Sequence, residues 1–335
     1  MTARAALVAW VAFALVAACH AAPPEPKERP AAAAPAKAEI ATPPSPGPPP
    51  DRSYVLPDAP RVVAIGDIHG DLAAARRALR LAGAIDAGGR WIGDHLVVVQ
   101  TGDEIDRGDD DRAVLELFDA LVDQASSRGG RVVALVGNHE AMNVAGDFRY
   151  VTERGFSSFA DVDTSKIPGA LLAQVPVVQR GRFAAFRPGG PMARRLASRP
   201  AIVQVGDTVF VHGGVTPAHV EYGISRLNRE LSRWMNGEGR EPAPATDPEG
   251  PLWTRRYSED SSPPDCAGLS AALSALSAKR LVVGHTPHKE GIGSACGGAV
   301  WRIDTGLSAY YGGATEVLEI RGADVRVLET APPAK

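Results

Sequence analysis

From residue 61 onward, short runs of aliphatic residues stop abruptly at glycine or histidine and are followed by polar side chains. Apolar runs bounded by turn-forming residues predict strands that are buried on both faces. Between the first three runs, apolar side chains recur at helical spacing within 71–82 and 110–127. Alternating strands and helices predict βαβ units and thus an α/β fold. The strand runs are Arg61–Ile65, Leu96–Gln100, Arg131–Val136, Thr208–Val211 and Arg280–Val283.

Two later regions depart from this alternation. Near the end of the chain, Val300–Ile303 predicts one strand, and Glu316–Ile320 with Val325–Leu328 predicts a hairpin-like pair. Little helical pattern separates them, so we expect a partly antiparallel or second sheet. The segment 148–200 is unlike a compact βα connection and contains one short helical pattern, Met192–Ala197. It either forms a substrate groove over the site or belongs to the scaffold.

The first 60 residues have a different character. Residues 5–18 form an apolar run that is shorter than the roughly 20 residues of a membrane span and fits a signal peptide. The run ends in Val16-Ala17-Ala18-Cys19, which resembles the lipobox of bacterial lipoproteins, with an ordinary signal peptide as the alternative. Residues 20–60 contain 13 of the 28 prolines and predict an extended, disordered tether.

These features predict the domain organisation and the location of the protein. Residues 1–19 would be a signal peptide with a lipobox-like end, 20–60 the Pro- and Ala-rich tether, and 61–330 the catalytic domain. The protein would be exported to the bacterial cell envelope and held by a lipid on Cys19. Several acyl chains on one cysteine would make this anchor durable. The protein would face the periplasm or the cell surface.

Composition narrows the class of function. The chain has 36 basic and 39 acidic residues and lacks the basic excess of nucleic-acid-binding proteins, so we predict no nucleic-acid partner. Its 44% hydrophobic residues are enough for a sizeable core. Three cysteines are too few for a disulfide scaffold or a cysteine-based zinc site. In an exported protein Cys266 and Cys296 are predicted to pair, with two free buried thiols as the alternative.

Each of the first five strand runs, from Arg61–Ile65 to Arg280–Val283, is followed by a polar loop. Ligands of open α/β sheets bind beyond the carboxyl ends of the strands, so we expect these loops to converge. Asp67 and His69 are two residues apart in an extended segment and can therefore point to one side. Mixed carboxylate and imidazole ligands suit Mn, Fe or Zn better than Ca. The loops are Gly66–Gly70, Gly102–Gly108, Gly137–Glu140, His212–Gly214 and Gly284–Thr286.

Together the loops resemble those of the metallophosphoesterase superfamily. The ending Asp106-Arg107-Gly108 and the glutamate of Gly137-Asn138-His139-Glu140 resemble its phosphoprotein phosphatase type, and residues 137–150 resemble the Shewanella-like protein phosphatases. The resemblance extends over 61–320. It implies a calcineurin-like metallophosphoesterase fold, a β-sandwich of mixed sheets flanked by helices, with a dimetal site at the C-terminal ends of the strands.

The resemblance also implies a set of metal ligands. Two divalent ions would be bound, Mn as the first choice and Fe or Zn as alternatives, with Asp103 as the bridge between them. The first ion would take Asp67, His69 and Asp103, and the second would take Asp103, Asn138, His212 and His285. A hydroxide shared by the two ions would attack phosphorus in line with the leaving group.

Other residues would act on the substrate. His139 would protonate the leaving oxygen as general acid, with Asp106 orienting its ring. Arg107 and Asn138 would bind the substrate phosphate. Residue patterns leave two alternatives open, a helix N-cap role for Asp106 and a surface ion pair of Arg107 with Asp109–Asp111.

Several polar residues have no assigned role. Arg255 and Arg256 are candidates for a second phosphate-binding arginine, with a solvated or structural role as the alternative. His95, His219 and His288 match no ligand position and are interpreted as surface or core histidines, although His288 is close enough to His285 in sequence to lie just behind the ligands.

We therefore predict a metal-dependent phosphatase that hydrolyses phosphomonoesters on proteins. The resemblance brings phosphotyrosine as the expected substrate ahead of phosphoserine or phosphothreonine. One alternative is a small-molecule phosphoesterase such as a symmetrical dinucleoside tetraphosphatase, which the same dimetal centre would serve. An alternative of another class is a catalytically inactive lipoprotein that binds partners at the surface. The presence of all six proposed ligands and the proposed acid argues against it.

Overall fold

The computed structural model describes residues 51–330, and regular structure begins before the predicted boundary at Arg61. Strand β1, Val55–Leu56, pairs in parallel with β5, Ile202–Val205, and Tyr54 beside it is buried. Residues 51–60 thus belong to the folded unit and not to the tether, because a two-residue strand is too short to show a periodic pattern. The predicted signal peptide, the lipobox and the rest of the tether lie outside the described residues. Across 51–330, no helix combines the length and apolar character that a membrane span needs.

The strands of this part of the chain form two mixed sheets. Besides β1 and β5 they are β2 Val62–Ile65, β3 Val97–Gln100, β4 Arg131–Ala134, β6 Thr208–Val211, β7 Arg280–Val283, β8 Gly293–Ala295, β9 Val300–Arg302, β10 Glu316–Arg321 and β11 Asp324–Glu329. The five-stranded sheet has the order β11-β10-β2-β3-β4, and the six-stranded sheet has the order β1-β5-β6-β7-β9-β8. The strands β2, β3 and β4 run parallel, as do β6, β7 and β9. All eight predicted strand runs are strands, whereas β1, β5 and β8 were not predicted.

Ten α-helices connect the strands within residues 51–330. They are α1 Leu72–Leu81, α2 Asp111–Ser126, α3 Asn138–Ala145, α4 Glu153–Ser157, α5 Gly169–Leu172, α6 Arg180–Phe186, α7 Pro191–Leu196, α8 Pro217–Tyr222, α9 Ile224–Met235 and α10 Cys266–Leu276. Helix α1 begins where the Asp71 side chain accepts a hydrogen bond from the backbone N–H of Ala74 at 2.8 Å, which satisfies one free donor of the first turn. The helical patterns predicted over 71–82 and 110–127 are confirmed by α1 and α2.

The two sheets pack face to face, and helices cover their outer faces. In β2, Val62 and Ala64 lie in the apolar layer between the sheets, whereas Val63 and Ile65 lie in the layer with α1 and α2. Strands buried on both faces explain the continuous apolar runs, since each fully buried Val or Ile side chain contributes about 1.5–3 kcal/mol. The predicted β-sandwich of mixed sheets flanked by helices is confirmed.

A disulfide bond fastens one edge of the six-stranded sheet. Cys266 at the start of α10 and Cys296 after β8 are bonded, with their Cα atoms 5.3 Å apart. The pairing predicted from the sequence is thus present. Closing a loop of this length stabilises the fold by about 3–4 kcal/mol through the entropy of the unfolded chain.

Candidate metal centre

The five predicted loops meet at one edge of the sandwich. Because β2, β3 and β4 run parallel in one sheet, and β6 and β7 do so in the other, the carboxyl ends within each set lie at the same edge. The five-stranded sheet brings in Asp103 and Asn138, and the six-stranded sheet brings in His212, whose Nε2 lies 2.8 Å from Asn138 Oδ1 and 3.2 Å from Asp103 Oδ2. The site is therefore assembled across both sheets, and all six predicted ligands are buried there.

Two groups of donor atoms share Asp103. In one, ligand atoms of His69, Asp103 and His139 lie within 4.8 Å of one another, and in the other those of Asp103, His212 and His285 do. His69 Nε2 is 3.9 Å from carboxylate oxygens of both Asp103 and Asp67, which brings Asp67 to the first group. A residue common to both groups is what the predicted bridge between two ions requires.

The orientation of the three histidine rings fits metal binding. In each ring the nitrogen that faces away from the centre lies against a backbone carbonyl oxygen: His212 Nδ1 is 3.0 Å from Thr101 O, His285 Nε2 is 3.0 Å from Trp253 O, and His69 Nδ1 is 3.3 Å from Ile105 O. A carbonyl oxygen only accepts, so the proton sits on that nitrogen and the other lone pair points into the site.

The protonation states agree with this orientation. Burial lowers the pKa of His69 to about 3, and burial with the neighbouring His212 lowers the pKa of His285 well below its ordinary value. Both imidazoles are thus neutral, the form that binds a metal. Burial raises the pKa of Asp67 well above its ordinary value, with added repulsion from Asp304 and Asp103. Divalent cations would relieve this concentration of negative charge, so the residues present fit two such ions.

Asp304 was missed by the sequence analysis. It is buried, it follows β9 by two residues, and its Oδ1 accepts a hydrogen bond from the backbone N–H of Gly306 at 2.8 Å. Its sequence signal was the same as that of the five loops, because Asp304-Thr305-Gly306 follows a predicted strand directly. The structure thus adds a third carboxylate beside Asp67 and Asp103.

The loops are strained at the site. Positive φ angles occur at eight non-glycine residues of the described chain, and five of these are predicted site residues: His69, Asp103, Asp106, Arg107 and His285. Such conformations cost on the order of 1–3 kcal/mol each and persist only where the surroundings impose them.

Two glycines allow the chain to approach the ligands closely. A Cβ atom at Gly137 would lie 2.2 Å from Asp103 Oδ1, and one at Gly284 would lie 2.3 Å from Asp67 Oδ1. Real Cβ atoms do not approach oxygen this closely, so a larger residue at either position would push a ligand carboxylate out of place.

Glu140 ties the second loop to the third. One carboxylate oxygen accepts hydrogen bonds from the backbone N–H groups of Asp103 at 2.9 Å and Gly137 at 2.8 Å, and the other accepts one from Glu104 at 2.8 Å. The side chain is fully buried. In the sequence this glutamate only supported the family resemblance, whereas in the structure it fixes the backbone that carries the bridging ligand.

The predicted general acid and its partner are in contact. His139 Nδ1 lies 2.8 Å from Asp106 Oδ2, and both side chains are buried. Burial lowers the pKa of His139, but the charges of Asp103 and Asp106 outweigh it and the pKa is raised above 6.5. This favours the protonated ring that an acid requires. The alternative N-cap role of Asp106 is wrong, because α2 begins at Asp111 with Asp110 at its cap.

Arg107 lies in a frame of three tyrosines. Its guanidinium carbon is 4.3 Å from the ring centre of Tyr150, 5.1 Å from Tyr310 and 5.4 Å from Tyr311, and its Nη1 donates to the Tyr310 hydroxyl at 3.2 Å. Within residues 51–330 it forms no ion pair with the acidic run 109–111, so that alternative is wrong. Stacking on aromatic faces orients the fork while leaving donors free for an anion.

The two candidate arginines differ in their surroundings. Arg255 Nη1 donates to the carbonyl oxygen of His285 at 2.9 Å and to the Thr286 hydroxyl at 2.7 Å, which places it beside the fifth loop. Arg256 instead pairs with Glu249 at 2.7 Å. Only Arg255 is thus next to the site.

The three other histidines of residues 51–330 lie outside the two groups of donor atoms. His95 contacts Gly129 O, His219 accepts from Thr216 N, and His288 lies 3.2 Å from Asp260. This agrees with their interpretation as surface or core residues.

A sandwich whose strand-end loops bring Asp, His and Asn ligands together around a shared carboxylate defines a metal-dependent phosphoesterase. Residues 60–302 match the family model described as calcineurin-like phosphoesterase. The chain belongs to the calcineurin-like phosphoesterase family, and its resemblance to the Shewanella-like protein phosphatases is confirmed.

Two relatives and one solved structure illustrate this. Shewanella-like protein phosphatase 2 of Arabidopsis thaliana is 39% identical over 81% of this chain and 78% of its own length. Shewanella-like protein phosphatase 1 of Plasmodium berghei is 30% identical over 75% of this chain and 68% of its own length. A cold-active protein tyrosine phosphatase superposes with a TM-score of 0.67 at 25% identity and covers 82% of this chain and 77% of its own. The protein is therefore a metal-dependent phosphatase.

Proposed function

We propose that this phosphatase hydrolyses phosphomonoesters on proteins and prefers phosphotyrosine. The observation that carries the proposal is the tyrosine frame around Arg107 at the mouth of the site. Tyr310 is 59% exposed and Tyr150 is 37% exposed, so both side chains are accessible to a ligand. The similarity to a cold-active protein tyrosine phosphatase and to Shewanella-like protein phosphatases supports the same substrate class.

Metal binding, phosphate binding and proton donation would be carried out by different residues of the site. Two divalent ions, Mn as the first choice and Fe or Zn as alternatives, would be held by Asp67, His69, Asp103, Asn138, His212 and His285. When bound, they would supply a nucleophile near neutral pH and neutralise charge on the phosphate. Arg107 would bind phosphate oxygens with its planar fork, together with Asn138 and Arg255. His139 would give its proton to the leaving oxygen.

The tyrosine frame favours an aromatic leaving group. The Tyr150 ring lies 5.0 Å from that of His139, and the Tyr311 ring lies 5.3 Å from that of His69, so the frame reaches from the surface to the acid. A phosphotyrosine ring entering toward Arg107 would pack between aromatic faces. Aromatic pairs of this kind contribute about 0.5–1.5 kcal/mol each beyond their buried area.

The experiment is a comparison of matched peptides. The full-length protein, stripped of metals and then supplied with Mn, Fe or Zn, is assayed on peptides that differ only in phosphotyrosine or phosphoserine, and on a dinucleoside tetraphosphate. We expect metal-dependent release that is fastest from phosphotyrosine. Tyr150→Leu and Tyr310→Leu should each reduce the phosphotyrosine preference about two- to tenfold. Tyr222→Leu, which removes a tyrosine stacked on Arg226 away from the site, is the matched control.

Three other outcomes of this experiment would contradict the proposal. Equal rates on both peptides, unchanged in the tyrosine variants, would leave a protein phosphatase without the proposed preference. Hydrolysis confined to the dinucleotide would favour the small-molecule phosphoesterase. Metal binding without hydrolysis of any of the three would favour the inactive binding protein.

We also propose that the protein is exported and lipid-anchored at Cys19. The proposal rests on the lipobox-like residues, and the bond between Cys266 and Cys296 supports it, because disulfides persist in oxidising compartments. Cys19→Ser should move the protein from the membrane fraction to the soluble envelope fraction and abolish labelling with a fatty acid. Unchanged fractionation and labelling would contradict the anchor.

A further inference from the structure

Behind the proposed general acid lies a buried ion network whose central cation belongs to none of the phosphatase motifs. Its centre is Arg182 in α6, a residue of the segment 148–200 whose role the sequence left open. The side chain is 0% exposed. Its Nη2 donates to Asp106 Oδ1 at 2.9 Å and its Nη1 to Asp111 Oδ2 at 2.5 Å. A cation is buried at this depth only where such partners replace its hydration.

Two further hydrogen bonds hold Arg182. Nε donates to Asn143 Oδ1 at 2.7 Å, and Nη1 also donates to the carbonyl oxygen of Gly155 at 3.1 Å. The guanidinium carbon lies 5.3 Å from the ring centre of Phe159 and 4.8 Å from that of Phe186. Planar stacking and directed hydrogen bonds therefore fix the orientation of the fork.

The network leaves Asp106 one arrangement. Arg182 engages Oδ1, whereas Oδ2 faces His139 Nδ1 at 2.8 Å. Asn143 Nδ2 lies 3.0 Å from each of these oxygens and 2.9 Å from the carbonyl oxygen of His139, so it joins the carboxylate to the backbone of the acid. The backbone N–H of Asp106 donates to Asp111 Oδ1 at 2.9 Å, which ties the second partner of Arg182 to the same residue.

We propose that Arg182 is a positioning residue for the general acid. It holds Asp106 so that Oδ2 accepts from His139 Nδ1 and the opposite nitrogen, Nε2, presents its proton to the leaving oxygen. The inference rests on the proposed role of His139 as the acid. It also gives the segment 148–200 a part in catalysis that does not depend on contact with the substrate.

A purely structural role would make a different prediction. Arg182 joins α6 to α2 through Asp111 and to α4 through Gly155, so its loss would weaken the fold in either case. Proton donation, however, matters most when the leaving oxygen is a poor leaving group and little when it departs readily as an anion. Only a positioning role therefore makes the loss of rate depend on the leaving group.

The test is a series of phosphate monoesters from 2,4-dinitrophenyl phosphate through phenyl phosphate to an alkyl phosphate. In Arg182→Met, we expect kcat on phenyl and alkyl phosphates to fall about ten- to a hundredfold, as when the orienting partner of a functional histidine is lost. The loss on 2,4-dinitrophenyl phosphate should stay below about threefold, because that leaving group needs no proton. KM should change little across the series.

His139→Ala should show the same dependence with a larger amplitude. The matched control is Arg199→Met, which removes another buried arginine that pairs with two carboxylates, Glu104 and Asp119, but does not touch Asp106. It should lower the rate on all esters by a similar factor. Metal content and the folded fraction are measured for every variant so that rates refer to loaded, folded protein.

Arg182→Lys keeps the charge if the methionine variant fails to fold. A lysine cannot serve Asp106, Asp111 and Asn143 together, so the same dependence on the leaving group is expected. A readout that needs no turnover is the proton resonance of His139 Nδ1–H, which should be shifted far downfield in the wild type and broadened or lost in the lysine variant.

Two outcomes separate the inference from the proposed function. A uniform loss of rate across the series in an active enzyme, with the Nδ1–H resonance retained, would overturn the positioning role and leave the phosphatase proposal intact. If the wild-type, metal-loaded protein hydrolyses none of the esters, the proposed function fails, and the positioning role fails with it.

Discussion

Two buried arginines support the two ends of one loop, and the comparison between them separates folding from chemistry. Arg182 pairs with Asp106 and Asp111 near His139, the proposed acid, and Arg199 pairs with Glu104 and Asp119 near Asp103, the proposed bridging ligand. Both arginines come from the segment 148–200. Each brings one cation to two carboxylates; both partners of Arg182 are fully buried, whereas Arg199 pairs with buried Glu104 and with Asp119, which is 31% exposed.

The two networks differ in how the loop residue that pairs with the arginine, Asp106 or Glu104, is connected to the site. Asp106 offers its other oxygen to His139, so Arg182 is separated from the reacting proton by one side chain. Glu104 instead takes part through its backbone N–H, which Glu140 holds, so Arg199 reaches the metal end only through the main chain. Under the proposed mechanism, the ion pair of Arg182 takes part in catalysis because Asp106 also faces His139, whereas the ion pair of Arg199 does not.

The largest predicted effect separates the metal end of the loop from the acid end. Asp103→Asn should release bound metal and lower kcat/KM at least about a thousandfold, because the bridge between the ions is lost. Asp106→Asn should retain both ions and lower kcat about a hundred- to ten-thousandfold on poor leaving groups, because the acid is no longer oriented. Metal content by mass spectrometry and steady-state rates are measured on the same samples.

The control for this prediction is the good leaving group. On 2,4-dinitrophenyl phosphate, Asp106→Asn should recover most of its rate and Asp103→Asn should not. Equal metal loss in both variants would show that the two ends of the loop are not separable and would contradict the division of roles proposed for them.

A smaller effect is expected on stability at the metal end. Arg199→Met should lower the free energy of unfolding by about 3 kcal/mol, because Glu104 is left as a buried carboxylate without its cation. Arg195→Met is the control, since Arg195 pairs with the same Asp119 at 2.5 Å but is 38% exposed. An exposed pair contributes about 1 kcal/mol or less, so this variant should unfold nearly as the wild type does. Equal losses in urea titrations would mean that burial does not distinguish the two arginines.

The convergence of the proposed ligands could be predicted from the sequence because each lies shortly after a strand that its residue pattern predicts. A contiguous apolar run followed by Gly-Asp or Gly-Asn-His fixes both the place of the residue on the sheet and its chemistry. Strand β5 had a comparable signal that was missed: it is joined to β6 by Gly206-Asp207, a two-residue hairpin connection. Strand β1, with two residues, had none.

Arg182, Arg199 and the tyrosine frame could not be predicted in the same way. Arg182 meets Asp106 across 76 residues of sequence, from helix α6, which is too short to show a period. Arg199 meets Glu104 across 95 residues, from the irregular segment that follows α7. Among the 30 arginines of the sequence, nothing local marks Arg182 and Arg199 as buried, because burial of a charge depends on tertiary partners. Tyr310 likewise meets Arg107 across 203 residues of sequence.

The smallest predicted effect concerns another buried carboxylate that pairs with arginines but lies away from the site. Glu319 on β10 is buried beneath Arg61, Arg321 and Arg326, with Arg61 Nε 2.5 Å from its Oε1. Burial alone would raise the pKa of Glu319, but the bonds from Arg326, Arg61 and Arg321 outweigh it and lower the pKa to about 2. Because the folded pKa lies below the ordinary 4.5, the ionised form stabilises the fold above that pH, and the contribution is lost as pH falls from there toward 2.

Glu319→Gln should therefore destabilise the protein by about 1 kcal/mol near neutral pH, since two of the three arginines are largely exposed. The difference from wild type should shrink as urea titrations are repeated at falling pH between 4.5 and about 2, with a chelator present so that metal loss does not contribute. Any change in catalytic rate relative to wild type near neutral pH should be the same for every leaving group, whereas the loss of rate in Arg182→Met should depend on the leaving group. A glutamine variant more stable than wild type at neutral pH would mean that burial outweighs the three arginines. The carboxylates paired with Arg182 and Arg199 would then need the same reassessment.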